Sequence, residues 1–216
     1  MTFGTGASSE PHFLIVPGLN DSGPTHWQRH WLDLLRHAHK ADLGDWANPM
    51  RDRWIARLDA AIRSINAPVI LVAHSLGCHA VAHWAETYAN EGYPIVFGAL
   101  LVAPPDCDRD DAHPLVRQFG QSAQAQLPFP AIIAASRNDD YATLDFVRRL
   151  ARRWQADFVD TGELGHINAA SGIGHWPAGL ALLGRTIVRA GFGREERASR
   201  SENTQVTAPE PLRTAA

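Results

Sequence analysis

The sequence predicts an α/β fold with a mostly parallel, doubly wound sheet of about five or six strands flanked by helices. Three observations lead to this fold class. Short apolar runs without polar alternation recur along the chain, which is typical of parallel strands covered on both faces. Stretches of helical length separate these runs, and such alternation implies right-handed crossovers. Turn-forming and titratable residues follow the runs, at the sheet edge where ligands bind in this class.

Six segments are predicted strands. Four are strongly apolar: HFLIV (12–16), PVILVAH (68–74), IVFGALLVA (95–103) and PAIIAAS (130–136). Two are weaker: ADFVD (156–160) and a part of HKADL (39–43). The predicted helices fill the intervals, at about 25–37, 50–65, 76–90, 142–154 and 176–190. Strand and helix therefore alternate through the whole core.

The chain is predicted to form one domain, over residues 12–192. Its 216 residues are 45% hydrophobic and 20% charged, an ordinary globular composition. Residues 1–11 are small and polar, and residues 193–216 lack aromatic residues and periodic apolar positions. Both flanking segments are therefore predicted to be disordered.

Charge and composition argue against several classes of partner. The net charge of −3 gives no basic footprint for nucleic acid. One basic cluster has the spacing of a solvated helix face: Arg148, Arg149, Arg152 and Arg153. The N-terminus lacks the basic and apolar regions of a signal peptide, and no apolar run reaches the length of a membrane span. A cytoplasmic protein without a membrane or nucleic-acid partner is predicted.

The stretch VILVAHSLGCHAVAHWA (69–85) places a serine where a buried strand changes into a helix. A sharp strand-to-helix turn of this kind exposes the serine oxygen above the sheet. Small residues are needed beside it because strand and helix approach closely, and Ala73 and Gly77 lie two positions before and after Ser75. The usual pattern is G-x-S-x-G, from which Ala73 departs while remaining small. Ser75 is therefore the candidate nucleophile.

A serine hydroxyl needs a base to remove its proton, and histidine suits that role. His166 is the candidate because it lies in a glycine-flanked loop, GELGHIN, after the last predicted strand. His175 is the alternative, although it comes at the start of the last helix. Asp139, after PAIIAAS, would orient the imidazole. Its neighbour Asp140 stays open as an alternative.

Two backbone amides are candidates for stabilising a developing oxyanion. Leu76 follows Ser75 at the predicted N-terminus of a helix, where free N–H groups favour negative charge. Leu19 lies in the loop after the first strand, from which the second donor usually comes on sheets of this type.

Four separated motifs, FLIVPGLNDSGPTHWQ, VAHSLGC, ASRNDD and GELGHIN, resemble in this order those of the YdeN and retinoblastoma-binding-protein-nine type of small serine hydrolases. The resemblance covers about 12–190 and implies a compact α/β-hydrolase fold without a large cap. It assigns the nucleophile to Ser75, the acid to Asp139 and the histidine to His166. Family members often have proline after that aspartate, where this chain has a second aspartate. The retinoblastoma-binding pentapeptide L-x-C-x-E is absent, so such a partner is not predicted.

The predicted function is hydrolysis of a small ester or amide through an acyl-enzyme on Ser75, with no metal or organic cofactor. Two alternatives stay open: a non-enzymatic binding protein with the same fold, and an acyl transferase or thioesterase with the same triad. The connection from Pro104 to Pro130 is the only room for a lid, and PLVRQF within it could form a short helix.

Other residues with reactive side chains are expected to be structural. Histidines four apart occur twice, and neither pair is followed by a third ligand at a suitable spacing for metal: these are His26 with His30 and His79 with His83. His74 is expected to pack beside Ser75. Cys78 and Cys107 are too few for a disulfide framework and form no C-x-x-C motif.

Overall fold

A computed structural model describes residues 10–88 and 96–192. The strands are β1 (His12–Val16), β2 (Ala38–Lys40), β3 (Val69–His74), β4 (Val96–Val102), β5 (Ala131–Ala135) and β6 (Asp157–Asp160). The helices are α1 (Trp27–Leu34), α2 (Arg51–Arg63), α3 (Leu76–Tyr88), α4 (Pro114–Arg117), α5 (Leu144–Trp154) and α6 (Pro177–Arg189), with a 3₁₀ turn at Ala169–Ser171.

The six strands form one parallel sheet in the order β2-β1-β3-β4-β5-β6. Strand β1 lies between the edge strand β2 and strand β3. Strands β4, β5 and β6 follow β3 in chain order to the other edge. All carboxyl ends of the strands therefore meet at one rim, and the predicted α/β-hydrolase fold class is confirmed.

Two hydrophobic cores cover the two faces of the sheet. Helices α2, α3 and α5 pack on one face against side chains such as Leu71 and Leu101. Helices α1 and α6 pack on the other face against the intervening residues, such as Ile70 and Leu100. Burial on both faces explains why these strands read as continuous apolar runs.

Helix α5 illustrates how the sequence determines one amphipathic element. Its apolar residues recur at helical spacing and are buried: Phe146, Val147, Leu150, Ala151 and Trp154. The Thr143 hydroxyl accepts a hydrogen bond from the Phe146 N–H and so caps the N-terminus. The arginines of the predicted solvated face are all exposed, which confirms that prediction.

Two neighbouring elements have boundaries that differ from those predicted. The helix predicted over 25–37 ends at Leu34, because the backbone becomes extended at Leu35 and left-handed at His37, where φ is 58°. The weak strand predicted within 39–43 is consequently displaced to Ala38–Lys40, where it pairs with β1.

Some predictions concern residues that the structure does not describe. The predicted disordered segments 1–11 and 193–216 lie almost entirely outside the described residues, as do the end of the helix predicted over 76–90 and the start of the strand over 95–103. Within 10–88 and 96–192, no helix is both long enough and apolar enough to cross a bilayer.

Candidate active site

Ser75 lies in a strained turn at the rim of the sheet. It is the single residue between the end of β3 and the start of α3, and its φ of 53° is in the left-handed region that non-glycine residues rarely adopt. Its N–H donates to the Val102 carbonyl of β4 at 2.8 Å, which ties the turn to the neighbouring strand. This is the backbone conformation expected of a nucleophile elbow.

Gly77 is required by the close approach of α3 to the end of β1. A Cβ atom at this position would lie 2.4 Å from the Val16 carbonyl oxygen and 2.5 Å from that of Pro17. Both contacts are with backbone, which cannot rotate away. The small residue predicted two positions after Ser75 is therefore explained by packing.

The structure brings Ser75, His166 and Asp139 into one hydrogen-bonded row. His166 Nε2 lies 2.8 Å from Ser75 Oγ, and His166 Nδ1 lies 3.0 and 2.9 Å from the two carboxylate oxygens of Asp139. An ionised carboxylate only accepts, so Nδ1 carries the proton and Nε2 is free to accept from the serine hydroxyl. The side chains of Asp139 and His166 are only 3% and 11% exposed.

The two alternatives left open by the sequence lie elsewhere. Asp140 is exposed, and its backbone carbonyl accepts from Arg109. His175 is also exposed, and its ring contacts that of His30 at a centroid distance of 4.5 Å. Neither side chain takes part in the hydrogen-bonded row that Asp139, His166 and Ser75 form.

The two candidate oxyanion donors, the Leu19 and Leu76 N–H groups, lie on two backbone segments that contact each other. Leu76 is the first residue of α3, where a helix leaves its N–H groups without intrahelical acceptors. The loop carrying Leu19 touches this turn, since a Cβ atom added to Gly18 would lie 2.7 Å from Ser75 Cβ and 3.1 Å from the Leu76 nitrogen. The role of both amides stays a prediction.

The loop that carries His166 is bound through its N–H groups by two side chains from the end of β5. Ser136 Oγ accepts from the Leu164 N–H at 2.8 Å, and Asn138 Oδ1 accepts from the Gly165 N–H at 2.7 Å. Ser136 Oγ also donates to Asn138 Oδ1 at 2.8 Å. The sequence motifs do not single out these two residues as functional. The signal that could have found them is their position beside Asp139, directly after a buried strand.

A cavity of about 380 Å³ opens at Ser75 and His166. Its volume lies in the range of small-molecule sites. Tyr141 and Val116 form part of its wall, with the Tyr141 ring centroid 4.4 Å from that of His166. Val116 comes from α4, the short helix expected in the connection between Pro104 and Pro130. Further lining residues include Leu19, Asn20, Asp21, His26, His74 and Asn168.

Helix α1 is anchored to the sheet by two polar residues: His26, which is expected to be structural, and Gln28, which no sequence motif singles out. His26 caps α1, with its Nδ1 accepting from the Gln28 N–H. The fully buried Gln28 side chain donates to the Val16 carbonyl at the end of β1 and to the Val72 carbonyl within β3. The start of α1 is thereby held against strands β1 and β3.

The predicted histidine pairs do not form a metal centre in the part of the chain that the structure describes. Among residues 10–88 and 96–192, no group of three or more His, Cys, Asp or Glu side chains is arranged to hold a metal ion. Burial, the largest cause, lowers the pKa of His26 and of His79 to about 4. Both rings are thus neutral at pH 7.

Comparison with known proteins gives one consistent result. The sequence matches the family model described as "Serine hydrolase" over residues 13–185. The Bacillus subtilis (strain 168) protein YdeN, named as a hydrolase, is 26% identical over 165 residues, which are 70% of this chain and 83% of YdeN.

Solved structures agree with the sequence matches. A YdeN-like hydrolase from Pectobacterium atrosepticum is 32% identical, with a TM-score of 0.71 over 83% of this chain and 91% of that one. The ydeN gene product of B. subtilis shares the fold at 19% identity, with a TM-score of 0.66 over 83% of this chain and 100% of that one.

Proposed function

The chain belongs to the serine hydrolase family, as its motifs predict, and we propose that it cleaves a small ester or amide through an acyl-enzyme formed on Ser75. The observation that carries this proposal is the row Asp139–His166–Ser75, hydrogen-bonded at a strained turn that opens into a cavity. The hydrolase activity follows from the family. The substrate and the roles of individual residues are what we propose.

In the first step, His166 Nε2 removes the Ser75 hydroxyl proton while Oγ attacks the acyl carbon. The carbonyl π electrons move to oxygen, and the Leu19 and Leu76 N–H groups stabilise that oxyanion. Asp139 accepts from Nδ1–H and stabilises the imidazolium that forms. The tetrahedral intermediate then collapses, and the leaving alkoxide or amine takes the proton from Nε2.

In the second step, water replaces the departed group. His166 Nε2 takes a proton from water, whose oxygen attacks the acyl carbon of the Ser75 ester. The second tetrahedral intermediate expels Ser75 Oγ, which recovers the proton from Nε2. The products are a carboxylic acid and the free enzyme, so the two steps balance without a further reactant.

The size of the cavity favours a small substrate. About 380 Å³ accommodates a short acyl chain and a modest leaving group. The four-residue helix α4 is the one helix between Pro104 and Pro130, a stretch that the structure describes throughout. It offers little apolar surface for a long lipid. The predicted cytoplasmic location stays a prediction.

The test is hydrolysis of p-nitrophenyl acetate, butyrate, octanoate and laurate. We expect the short esters to be cleaved fastest. Ser75→Ala and His166→Ala should each lower kcat by roughly 10⁴- to 10⁶-fold while the protein stays folded, as for other serine nucleophiles and their bases. Wild-type rates in Ser75→Ala would overturn the mechanism, and fastest cleavage of laurate would overturn the assignment to small substrates.

A further inference from the structure

The residue after His166 has an unfavourable backbone conformation. Ile167 has a φ of 47° and is fully buried. A β-branched side chain in the left-handed region is a true outlier, because its two Cβ substituents crowd the backbone. Such a conformation persists only where surrounding contacts impose it, and outliers of this kind concentrate at functional sites.

Two side-chain donors bind the backbone carbonyl groups immediately before and after the Ile167 Cα atom. His74 Nε2 lies 2.9 Å from the His166 carbonyl oxygen, and Trp27 Nε1–H donates to the Ile167 carbonyl oxygen at 2.8 Å. His74 is 6% exposed and Trp27 is fully buried. They come from the end of β3 and the start of α1, so two rigid elements fix one short piece of loop.

The chemistry of His74 makes it a dedicated donor. A carbonyl oxygen only accepts, so Nε2 must carry the ring proton. Burial, followed by the proximity of His166, lowers the pKa of His74 well below its ordinary value, so the ring is neutral at pH 7. Its orientation is fixed by the rings of His26 and His166, whose centroids lie 4.7 and 5.0 Å away.

We propose that His74 and Trp27 are positioning residues for His166. By holding the His166–Ile167 backbone in its strained turn, they keep the imidazole Nε2 at 2.8 Å from Ser75 Oγ. This inference rests on the proposed function, because it concerns the same imidazole. A loss of either donor lets the loop relax, and a displacement of about 1 Å at a reacting group costs up to about 100-fold in rate.

Two matched pairs of variants separate positioning from packing. His74→Gln keeps an N–H donor near the position of Nε2, whereas His74→Phe keeps a ring and removes the donor. Trp27→Phe removes the bond to Ile167. Its control is Trp31→Phe, which truncates another fully buried indole of α1 whose Nε1–H donates at 2.8 Å to His175, away from His166.

The expected result is a split between kcat and KM for p-nitrophenyl acetate. His74→Phe and Trp27→Phe should lower kcat roughly 10- to 100-fold and change KM much less, since the lost hydrogen bonds act on the loop of the catalytic imidazole. His74→Gln and Trp31→Phe should keep most of the wild-type kcat. Thermal unfolding should show comparable losses of stability in Trp27→Phe and Trp31→Phe, so that stability does not explain the difference.

Equal kcat losses in Trp27→Phe and Trp31→Phe, or in His74→Phe and His74→Gln, would overturn the proposal. A second readout needs no turnover: the proton NMR resonance of His166 Nδ1–H, which is bound to Asp139. It should shift in His74→Phe and Trp27→Phe and stay in place in Trp31→Phe. An unshifted resonance in all variants overturns the positioning role, whereas a wild type that cleaves no ester overturns the proposed function alone.

Discussion

Asp139 and Asp140 are chemically identical neighbours in very different surroundings. The Asp139 side chain is almost fully enclosed, accepts from His166 through both oxygens and also accepts from the Tyr141 N–H at 2.9 Å. Asp140 is exposed to solvent. The turn after β5 therefore decides which of the two carboxylates faces the imidazole.

Replacing the two aspartates one at a time should damage activity unequally. Asp139→Asn can no longer hold His166 in the tautomer with Nδ1–H, so we expect kcat to fall by about 10³- to 10⁴-fold. Asp140→Asn should keep a kcat close to that of the wild type, since it removes only a solvent-exposed charge. Ester hydrolysis by both variants checks this, and equal losses would contradict the assignment of Asp139.

At the residue scale, the sequence predicted which groups to inspect but not all of their partners. Ser75 and His166 could be found because each follows a strand in a distinctive motif. The choice between Asp139 and Asp140 depends on turn geometry, which spacing does not encode. Asn138 was missed because its partner, the Gly165 N–H, lies 27 residues away and belongs to the backbone.

At the scale of elements, the approach of α3 to β1 makes the turn at Ser75 possible. The Val16 and Pro17 carbonyls occupy the space that a side chain at position 77 would need. The start of α3 can therefore lie directly on the end of β1 only because Gly77 has no Cβ. The same contact brings the loop after β1, with Leu19, beside Ser75.

Gly77→Ala should consequently destabilise the protein and disturb the site. We expect the free energy of unfolding to drop by about 1–3 kcal/mol, because backbone must shift to admit the new methyl group, and kcat to fall with it. The control is Gly184→Ala in α6, where a Cβ atom meets no neighbour within 4 Å. That substitution should raise stability by about 0.5–1 kcal/mol.

Chemical denaturation of both variants tests this contrast. A Gly77→Ala protein as stable as Gly184→Ala would show that the packing of α3 on β1 is not the reason for glycine at position 77.

The strands differ in how clearly the sequence predicts them. Strands β3 and β5 are buried throughout, and their apolar runs identify them directly. Strand β2 has three residues, two of them exposed, so its sequence carries almost no hydrophobic pattern. Its place follows from pairing with β1. The left-handed backbone at His37, just before this strand, is not marked by a glycine in the sequence.

At the scale of the whole molecule, buried histidines couple stability to pH. Burial lowers the folded-state pKa of His26 and His79 to about 4, and that of His74 well below its ordinary value. Because these values lie below the unfolded value of 6.5, the unfolded chain binds more protons at acidic pH. The contribution of these histidines to the free energy of unfolding is therefore fully present above pH 6.5 and is lost as the pH falls toward 4.

His79→Gln should reduce this pH dependence. Glutamine can keep the donor that His79 Nε2 offers to the Pro105 carbonyl, while removing the titrating group. Between pH 6.5 and about 4, we expect the slope of unfolding free energy against pH to decrease by up to about 1.4 kcal/mol per pH unit. Urea titrations across this range measure the slope, and those at pH 7 give the cost of the substitution itself. An unchanged slope would mean that His79 is not held neutral in the fold.

The parallel sheet explains why residues 75, 139 and 166 meet at all. Each follows a different strand, and every strand of the sheet presents its carboxyl end to the same rim. This convergence was predictable from the alternation of strands and helices. The distances within the row were not, because they depend on loop contacts such as those of Ser136, Asn138, His74 and Trp27.

The most direct test of an activated Ser75 is covalent labelling with a fluorophosphonate, followed by peptide mass mapping. The folded wild-type protein should be labelled at one site, in the peptide that contains Ser75, and Ser75→Ala should not be labelled. His166→Ala should label much more slowly, since its serine has lost the base. A folded wild type that resists the probe, or an adduct on any other residue, would contradict the central claim.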